Sequence, residues 1–140
     1  ERNIDYKQMY TASPFTLMNN TDAISHATVN TAFDINAKAI VVYTARGASA
    51  RMVSRFRPGA PIVAMTNSDR VYNQLATSWG VIPVICQTFD NTDDMFINAE
   101  EVVKRLGLAK AGDNIVITAG VPLGKNVGTN LIKVGSVEEF

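Results

Sequence analysis

The sequence predicts an α/β protein with a three-layer α/β/α fold, built on a five-stranded, mostly parallel sheet whose last strand is antiparallel. Short apolar runs such as AIVVY at 39–43 do not alternate with polar residues, which is typical of parallel strands buried on both faces. Segments with helical spacing of apolar residues separate the first four runs, as in right-handed βαβ crossovers. A glycine-rich loop without that spacing joins the last two runs, so these strands are expected to be antiparallel.

The composition indicates one soluble domain. A chain of 140 residues suits a single core. Its 13 basic and 13 acidic side chains balance to zero net charge without blocks of like charge, so we expect neither a nucleic-acid partner nor a membrane surface. The apolar runs are too short to span a membrane and the N-terminus has no signal-peptide pattern, so we expect a cytoplasmic protein. Because the chain begins with Glu1 and opens like a connector, we expect it to be a segment of a larger protein.

The chain is predicted to open with a lead-in or linker at 1–20, followed by a single domain at 21–140. Thr21 is expected to cap the first helix. The predicted apolar stripe of this helix comprises Ile24, Ala27, Thr31, Ala32 and Ile35. His26 lies off the stripe and has no second histidine, cysteine pair or carboxylate cluster in the nearby sequence, so we assign it to the surface or an interface.

The loop at 44–49, between the first strand and its helix, is the first candidate for a ligand site. Ligands of open α/β sheets lie beyond the carboxyl ends of the strands, where amides at a helix N-terminus can meet an anion. Gly47 allows a positive φ or a close approach, and Arg46 adds a fixed positive charge. Thr44 and Ser49 supply hydroxyl groups. The pattern predicts a phosphate cradle; alternatively, these residues only turn the chain and cap the helix.

The middle of the chain continues the alternation of helices and strands. After a stop at Pro58 and a second strand, IVAM, Ser68 is expected to cap a third helix. Its predicted apolar stripe comprises Val71, Tyr72, Leu75 and Trp79, with Trp79 packed in the core. The third strand, VIPVIC, contains Pro83, which removes a ladder donor and indicates a position at or near a sheet edge. Cys86 has apolar neighbours, which favours a buried, unreactive thiol.

The segment 92–106 carries consistent signals for the fourth helix. Thr92 is expected to cap it, and Asp93 and Asp94 would complement the helix dipole in the first turn. The predicted buried face comprises Met95, Ala99, Val102, Val103 and Leu106. The two aspartates and His26 also define a rival hypothesis, a small phosphotransferase or hydrolase, but no nucleophile and base occur at motif spacing.

The fourth and fifth strands, NIVIT and LIKV, flank a long loop at 120–130 that contains Pro122 and Lys125. This loop and the loop at 44–49 both leave the carboxyl ends of parallel strands, so they can face each other across the top of the sheet. The Lys125 ammonium could then close over a ligand held by the first loop. On spacing alone, a plain hairpin connection explains the second loop equally well.

Several motifs occur in the order and at the spacing of a known family. VVYTARGASARMVSRFRPGAPIVAMT is followed by WGVIPV, then GDNIVITAGVP and GTNLIKV. Over 21–134 the chain resembles the C-terminal domain of pyruvate kinase, of the bacterial type. In that family the domain is regulatory and is not catalytic. The parent enzyme transfers the phosphoryl group of phosphoenolpyruvate to ADP in a separate (β/α)8 barrel.

The resemblance implies that this chain has no turnover and no cofactor of its own, because magnesium and potassium belong to the catalytic barrel, whose motifs do not occur here. It also implies a site for a phosphorylated effector, a sugar phosphate or a nucleotide. Its first element maps to Thr44, Arg46, Gly47, Ala48 and Ser49. Its second element maps to Gly120, Pro122, Lys125, Gly128 and Thr129.

The chain departs from the family at two points. At the positions of Ala45 and Arg46, family members commonly have an acidic residue followed by a small or polar one. This chain therefore carries more positive charge beside the expected phosphorylated effector. The animal segment that holds a second phosphate has no counterpart between Cys86 and Gly112. The resemblance further implies self-association through the last strand and the helices, with a tetramer in the parent enzyme. Two alternatives stay open: a free-standing module that binds a phosphorylated metabolite, and a purely structural domain that has lost its effector site.

Overall fold

A computed structural model describes residues 20–120 and 130–138. The helices are α1 (Asn20–Asp34), α2 (Ala48–Arg55), α3 (Asp69–Leu75) and α4 (Thr92–Arg105). The strands are β1 (Ala39–Tyr43), β2 (Ile62–Thr66), β3 (Val81–Ile85), β4 (Asn114–Ala119) and β5 (Leu131–Ser136). The predicted lead-in lies outside the described residues apart from Asn20, which is already helical, so the predicted cap Thr21 lies within α1.

The strands form one sheet in the order β3-β2-β1-β4-β5. β1 runs parallel to both β2 and β4, β2 runs parallel to β3, and β5 is antiparallel to β4. The predicted five-stranded, mostly parallel sheet is therefore confirmed. Pro83 lies in β3 at one edge of the sheet, as expected for a residue that cannot donate to a ladder.

Helices cover both faces of the sheet. One cluster of buried side chains joins α1, α2 and α3 to alternate residues of the central strands, including Ile40, Val42 and Ile62. A second cluster joins α4 to the other face, through residues such as Val41 and Ile117. The chain steps outward from β1 to β3 and then returns to β4 on the far side of β1, which places α4 on the opposite face. The predicted three layers are confirmed. No helix in the described part of the chain is long and apolar enough to cross a membrane.

The buried face of α1 differs from the predicted stripe. Its buried side chains are Ser25, Thr28, Val29 and Ala32. Four members of the predicted stripe lie half-buried: Ile24, Ala27, Thr31 and Ile35. The Thr28 hydroxyl donates to the Ile24 carbonyl oxygen at 2.7 Å, which satisfies this hydroxyl within the helix and allows it a core position.

The predicted core position of Trp79 was wrong. The helix α3 ends at Leu75, so Trp79 lies beyond it, and the indole is 52% exposed. The Arg57 guanidinium lies 4.4 Å from the centroid of the indole ring, and the Ser54 hydroxyl donates to the Trp79 carbonyl oxygen at 2.6 Å. A cation–π contact at the surface therefore replaces the expected core packing.

Asn91 caps α4 in place of the predicted Thr92. Its side-chain oxygen accepts from the Asp94 N–H at 2.8 Å, and its amide donates to the Asp94 carboxylate at 3.1 Å. Both residue types are good caps and they are adjacent, so the sequence could not distinguish them. The rest of the predicted face, Met95 to Val103, is buried at the expected spacing, whereas Leu106 lies past the end of the helix and is exposed.

Candidate functional site

The loop at 44–49 follows the central strand of the sheet. β1 lies between β2 and β4, and Val42 is opposite Ala64 in one parallel ladder and Thr118 in the other. The helix α2 that follows β1 packs on one face, whereas α4, which leads into β4, packs on the other. The carboxyl ends of β1 and β4 therefore mark the point where the strand order reverses, which is the usual ligand position in open α/β sheets.

The second predicted loop begins beside the first. Gly120 follows β4 directly, and β4 is the parallel neighbour of β1. The Asn130 N–H donates to the Ala119 carbonyl oxygen at 3.1 Å and closes the base of this loop. The other predicted site residues of the loop, Pro122, Lys125, Gly128 and Thr129, lie outside the described residues.

The first loop is closed by its own hydrogen bond. The Thr44 hydroxyl oxygen accepts from the Gly47 N–H at 2.8 Å. Gly47 has a φ of 88°, in the left-handed region, and directly precedes α2. The Gly47 N–H therefore donates within the loop, whereas in a phosphate cradle this amide would donate to the anion. The Thr44 hydroxyl can still donate its own proton to a ligand, because its oxygen is the acceptor in the loop.

The first turn of α2 supplies further backbone donors. The first hydrogen bond within this helix runs from the Arg51 N–H to the Gly47 carbonyl oxygen at 3.0 Å, so the amides of residues 48–50 precede the ladder. No described side chain caps this end of the helix. Ala48 is exposed, whereas Ser49 is buried with 5% exposure, so its hydroxyl lies beneath the surface of the loop.

A groove of about 710 Å³ opens beside this loop. Its polar lining consists of Arg46 from the loop, Arg51 from α2, and Ser68, Arg70 and Gln74 from the cap and body of α3. Three of the described lining residues carry guanidinium groups and none carries a carboxylate, so the groove favours anions. Its volume lies within the range of small-molecule sites.

Arg51 connects the loop to the groove. Its Nη2 donates to the Arg46 carbonyl oxygen at 3.3 Å. Its Nη1 lies 2.6 Å from the position that a Cβ would take at Gly47. The guanidinium therefore packs against the backbone of the turn, which is possible because residue 47 has no side chain.

The sequence identified Arg46 and missed Arg51, Ser68, Arg70 and Gln74 as residues of one groove. The parallel pairing of β1 with β2 could have identified these groove residues, because residues that follow β2 then lie beside residues that follow β1. Ser68 was correctly predicted as a cap, and its hydroxyl oxygen accepts from the Val71 N–H at 3.3 Å. That Ser68 also lies in the wall of the groove follows only from the three-dimensional arrangement of α2 and α3.

Tyr43 anchors the strand that leads into the site. Its hydroxyl lies 2.8 Å from the Met95 carbonyl oxygen and 3.0 Å from the Asn98 Oδ1 atom. Burial, and to a smaller extent the Cys86 thiol, raises the pKa of Tyr43 well above its ordinary value, so the phenol stays neutral. The Cys86 thiol is half-buried rather than fully buried, and burial raises its pKa, which keeps it protonated.

The residues of the rival catalytic hypothesis do not converge. Asp94 pairs with the Asn91 cap, and Asp93 lies in the same first turn of α4. His26 lies on α1, where its ring meets Phe56 edge-on at a centroid distance of 5.1 Å. The aspartates thus serve a helix end on one face of the sheet, and the histidine lies in a helix of the other face.

Comparisons with known proteins agree with this architecture. The family model described as pyruvate kinase, alpha/beta domain, matches residues 22–135. The pyruvate kinase of Lactobacillus delbrueckii subsp. bulgaricus is 43% identical over 116 residues, which cover 83% of this chain and 20% of that protein. The pyruvate kinase of Geobacillus stearothermophilus is 41% identical over 120 residues, which cover 86% of this chain and 20% of that protein.

Solved structures give the same result. A crystal structure of a pyruvate kinase from Cryptosporidium parvum covers 95% of this chain and 26% of that protein, with a TM-score of 0.79 and 28% identity. The Cryptosporidium parvum pyruvate kinase in complex with ADP also covers 95% of this chain, and 27% of its own length, with a TM-score of 0.80 and 29% identity. The fold and the sequence therefore define a pyruvate kinase-type α/β domain.

The chain belongs to the pyruvate kinase family, as its C-terminal α/β domain. The resemblance noted in the sequence is thereby confirmed. The matched region is 20–27% of the length of the chains compared, so the chain spans about a quarter or less of these relatives.

Proposed function

We propose that this chain is the regulatory and oligomerisation domain of a pyruvate kinase and that it binds an anionic, phosphorylated effector beside Gly47. Phosphoryl transfer from phosphoenolpyruvate to ADP then belongs to the barrel of the parent enzyme, which works in the cytoplasm with magnesium and potassium. Within residues 20–120 and 130–138, no group of three or more His, Cys, Asp or Glu side chains could hold a metal ion, so these residues do not fit such a site. The chain itself is expected to show no turnover.

The groove beside the turn carries this proposal. A phosphate group needs several donors and a compensating positive charge, and the loop offers both. The first-turn amides of α2 and the Thr44 hydroxyl are donors, and Arg46 contributes a guanidinium at the same edge of the sheet. A guanidinium can meet a phosphate with two parallel hydrogen bonds, which a lysine cannot do.

The proposed effector site is tested by calorimetric titration with sugar phosphates and nucleotides, with inorganic phosphate as the reference. Arg46→Ala is expected to weaken the binding of any phosphorylated ligand by about 1.5–3 kcal/mol, the value of a charge-assisted hydrogen bond. Arg55→Ala is the matched control, because Arg55 is exposed on α2 and does not line the groove. Equal affinities of the two variants would remove Arg46 from the site.

The edge strand β5 supports the oligomerisation part of the proposal. Among the described strands, β5 pairs with β4 only and forms an edge of the sheet, which is the kind of strand through which a second copy of the chain can pair. Val134 in β5 is 50% exposed, and the Lys133 Nζ lies 4.9 Å from the Phe96 ring centroid. Sedimentation velocity should show self-association that Val134→Lys weakens. Association that is unchanged in this variant would contradict a contact through β5.

The two alternatives make different predictions. A purely structural domain would self-associate without binding any phosphorylated ligand. A free-standing module would bind the ligand without belonging to a barrel-containing enzyme, so the native protein would show no pyruvate kinase activity with or without the ligand. Assay of the native protein for pyruvate kinase activity, with and without the ligand, therefore separates the module from the regulatory domain.

A further inference from the structure

The helix α4 contacts the edge strand β5 through a line of three side chains. Phe96, Glu100 and Lys104 are spaced four residues apart, so they share one face of the helix. The Lys133 Nζ, in the middle of β5, lies 4.9 Å from the centroid of the Phe96 ring. Glu100 and Lys104 contact the chain after β5, at Glu138. This face of α4 therefore contacts both β5 and the chain that follows it.

The contacts at Glu138 involve its backbone. The Glu100 Oε1 atom accepts from the Glu138 N–H at 3.0 Å, and the Lys104 ammonium donates to the Glu138 carbonyl oxygen at 3.2 Å. Both hydrogen bonds are charge-assisted, and Glu100 is only 9% exposed, where water competes little for its oxygen atom. The Glu138 side chain is exposed. These contacts therefore depend on the backbone at position 138 rather than on the identity of the side chain.

The pairing of β5 with its neighbour continues to the residue before these contacts. The Val137 N–H donates to the Asp113 carbonyl oxygen at 2.8 Å, and the Val137 carbonyl oxygen accepts from the Gly112 N–H at 2.9 Å. The Val137 side chain is buried in the cluster beneath α4. The end of an edge strand opens locally at a low cost in free energy. Backbone contacts at the next residue, Glu138, oppose this opening.

We propose that Glu100 and Lys104 form a backbone clasp, which holds the chain at Glu138 and thereby fixes the position of β5 for contact with a second copy of the chain. This inference rests on the oligomerisation part of the proposed function. Because β5 pairs with one described strand only, its position depends on β4 and on such additional contacts. A strand that is already ordered pairs with a partner at a lower entropy cost.

The first test removes the N–H that the clasp binds. Glu138→Pro lacks this donor, whereas Glu138→Ala retains it and serves as the control. Hydrogen exchange followed by NMR should be at least about tenfold faster at the Val137 amide in Glu138→Pro, the effect of losing one charge-assisted hydrogen bond. Exchange at the Val41 amide, in the central strand, should stay unchanged and show that the opening is local. Glu138→Ala should retain the exchange rates of the unsubstituted protein.

The second test changes the clasp on α4. Glu100→Ala should accelerate exchange at the Val137 amide as Glu138→Pro does, and Glu100→Gln should restore most of the protection because it keeps an acceptor oxygen. Lys104→Met should accelerate the same exchange. Glu101→Ala and Arg105→Met are the matched controls, since both residues are exposed on α4, and neither should change it.

Sedimentation velocity then tests the effect on self-association. The variants that open the end of β5 should associate more weakly than the unsubstituted protein, and Glu138→Ala should associate equally well. Exchange at the Val137 amide that is no faster in Glu138→Pro than in Glu138→Ala would overturn the clasp. Faster exchange with unchanged self-association would overturn its role in positioning β5 and leave the proposed oligomerisation intact. Absence of self-association in the unsubstituted protein would instead contradict the proposed oligomerisation, and the role of the clasp with it.

Discussion

The Nη1 atom of Arg51 lies 2.6 Å from the position that a Cβ would take at Gly47. The backbone of Gly47 also has a φ of 88°, which side chains rarely allow. Gly47→Ala must therefore strain the turn and shift the Arg51 guanidinium, which is the end of a flexible side chain. We expect it to lower the free energy of unfolding by about 1–3 kcal/mol, measured by urea denaturation, and to weaken phosphate binding.

Gly112→Ala is the matched control for this substitution. Gly112 has a similar φ of 92°, but apart from its own chain neighbours no described heavy atom lies within 4 Å of its Cβ position. It therefore carries the backbone strain without the contact with an arginine. Both variants should therefore lose similar stability, and a loss of phosphate affinity in Gly112→Ala as large as in Gly47→Ala would contradict a specific role for the packing of Arg51.

A second prediction distinguishes the two candidate caps of α4. Asn91→Ala removes the acceptor of the Asp94 N–H and should cost about 1 kcal/mol of the free energy of unfolding. Thr92→Ala changes a residue inside the first turn and should change the free energy of unfolding by a few tenths of a kcal/mol at most, because alanine is the better helix former. Chemical denaturation of both variants checks this order, and a larger loss in Thr92→Ala would restore the cap that the sequence favoured.

The sheet was predictable because its signals are local and repeated. Runs such as 39–43 and 62–66 are apolar without alternation, and a parallel strand covered on both faces requires this pattern. Pro83 is another local signal, because a proline cannot donate to a strand ladder and therefore indicates an edge strand. In contrast, the buried face of α1 includes Ser25 and Thr28, and a stripe of apolar residues cannot indicate a helix that packs through small polar side chains.

The site was predictable only in part. Arg46 and Gly47 lie in the loop that follows a buried strand, so the rule that ligands bind beyond the carboxyl ends of parallel strands was sufficient to identify them. Arg51 and Arg70 belong to two helices, and each resembles an ordinary solvated helix residue when it is considered by itself. Their convergence depends on the parallel pairing of β1 with β2 and on the packing of α2 and α3 on the same face, which local spacing does not encode.

The contact of Trp79 with Arg57 gives a third prediction. The guanidinium lies 4.4 Å from the indole centroid at a partly exposed position, where a cation–π contact contributes about 0.5–1 kcal/mol. A double-mutant cycle with Arg57→Ala and Trp79→Leu should give a coupling energy in this range. Unfolding is followed by circular dichroism, because two of the variants lack the indole. A coupling energy of zero would show that the two side chains are merely neighbours.

The last prediction concerns stability at high pH. Burial raises the pKa of Tyr43 in the folded state above its ordinary value of 10.0, so the unfolded chain loses this proton at a lower pH than the folded protein does. The stability that the neutral phenol contributes is therefore complete below pH 10 and is lost as the pH rises above it, by up to about 1.4 kcal/mol per pH unit. Cys86, whose pKa is raised from 9.0, adds a loss that begins nearer pH 9.

Tyr43→Phe separates the contribution of the phenol from the general effect of base. The variant should lose about 0.5–1.5 kcal/mol at neutral pH, the net value of a hydrogen bond, because the Met95 carbonyl oxygen loses the phenol as one of its donors. Above pH 10 its stability should decline less steeply than that of the unsubstituted protein, since one linked proton has been removed. Tyr72→Phe, at the exposed surface of α3, should leave the stability at neutral pH nearly unchanged. Urea denaturation at several pH values provides the test, and an unchanged alkaline slope in Tyr43→Phe would show that Tyr43 does not control it.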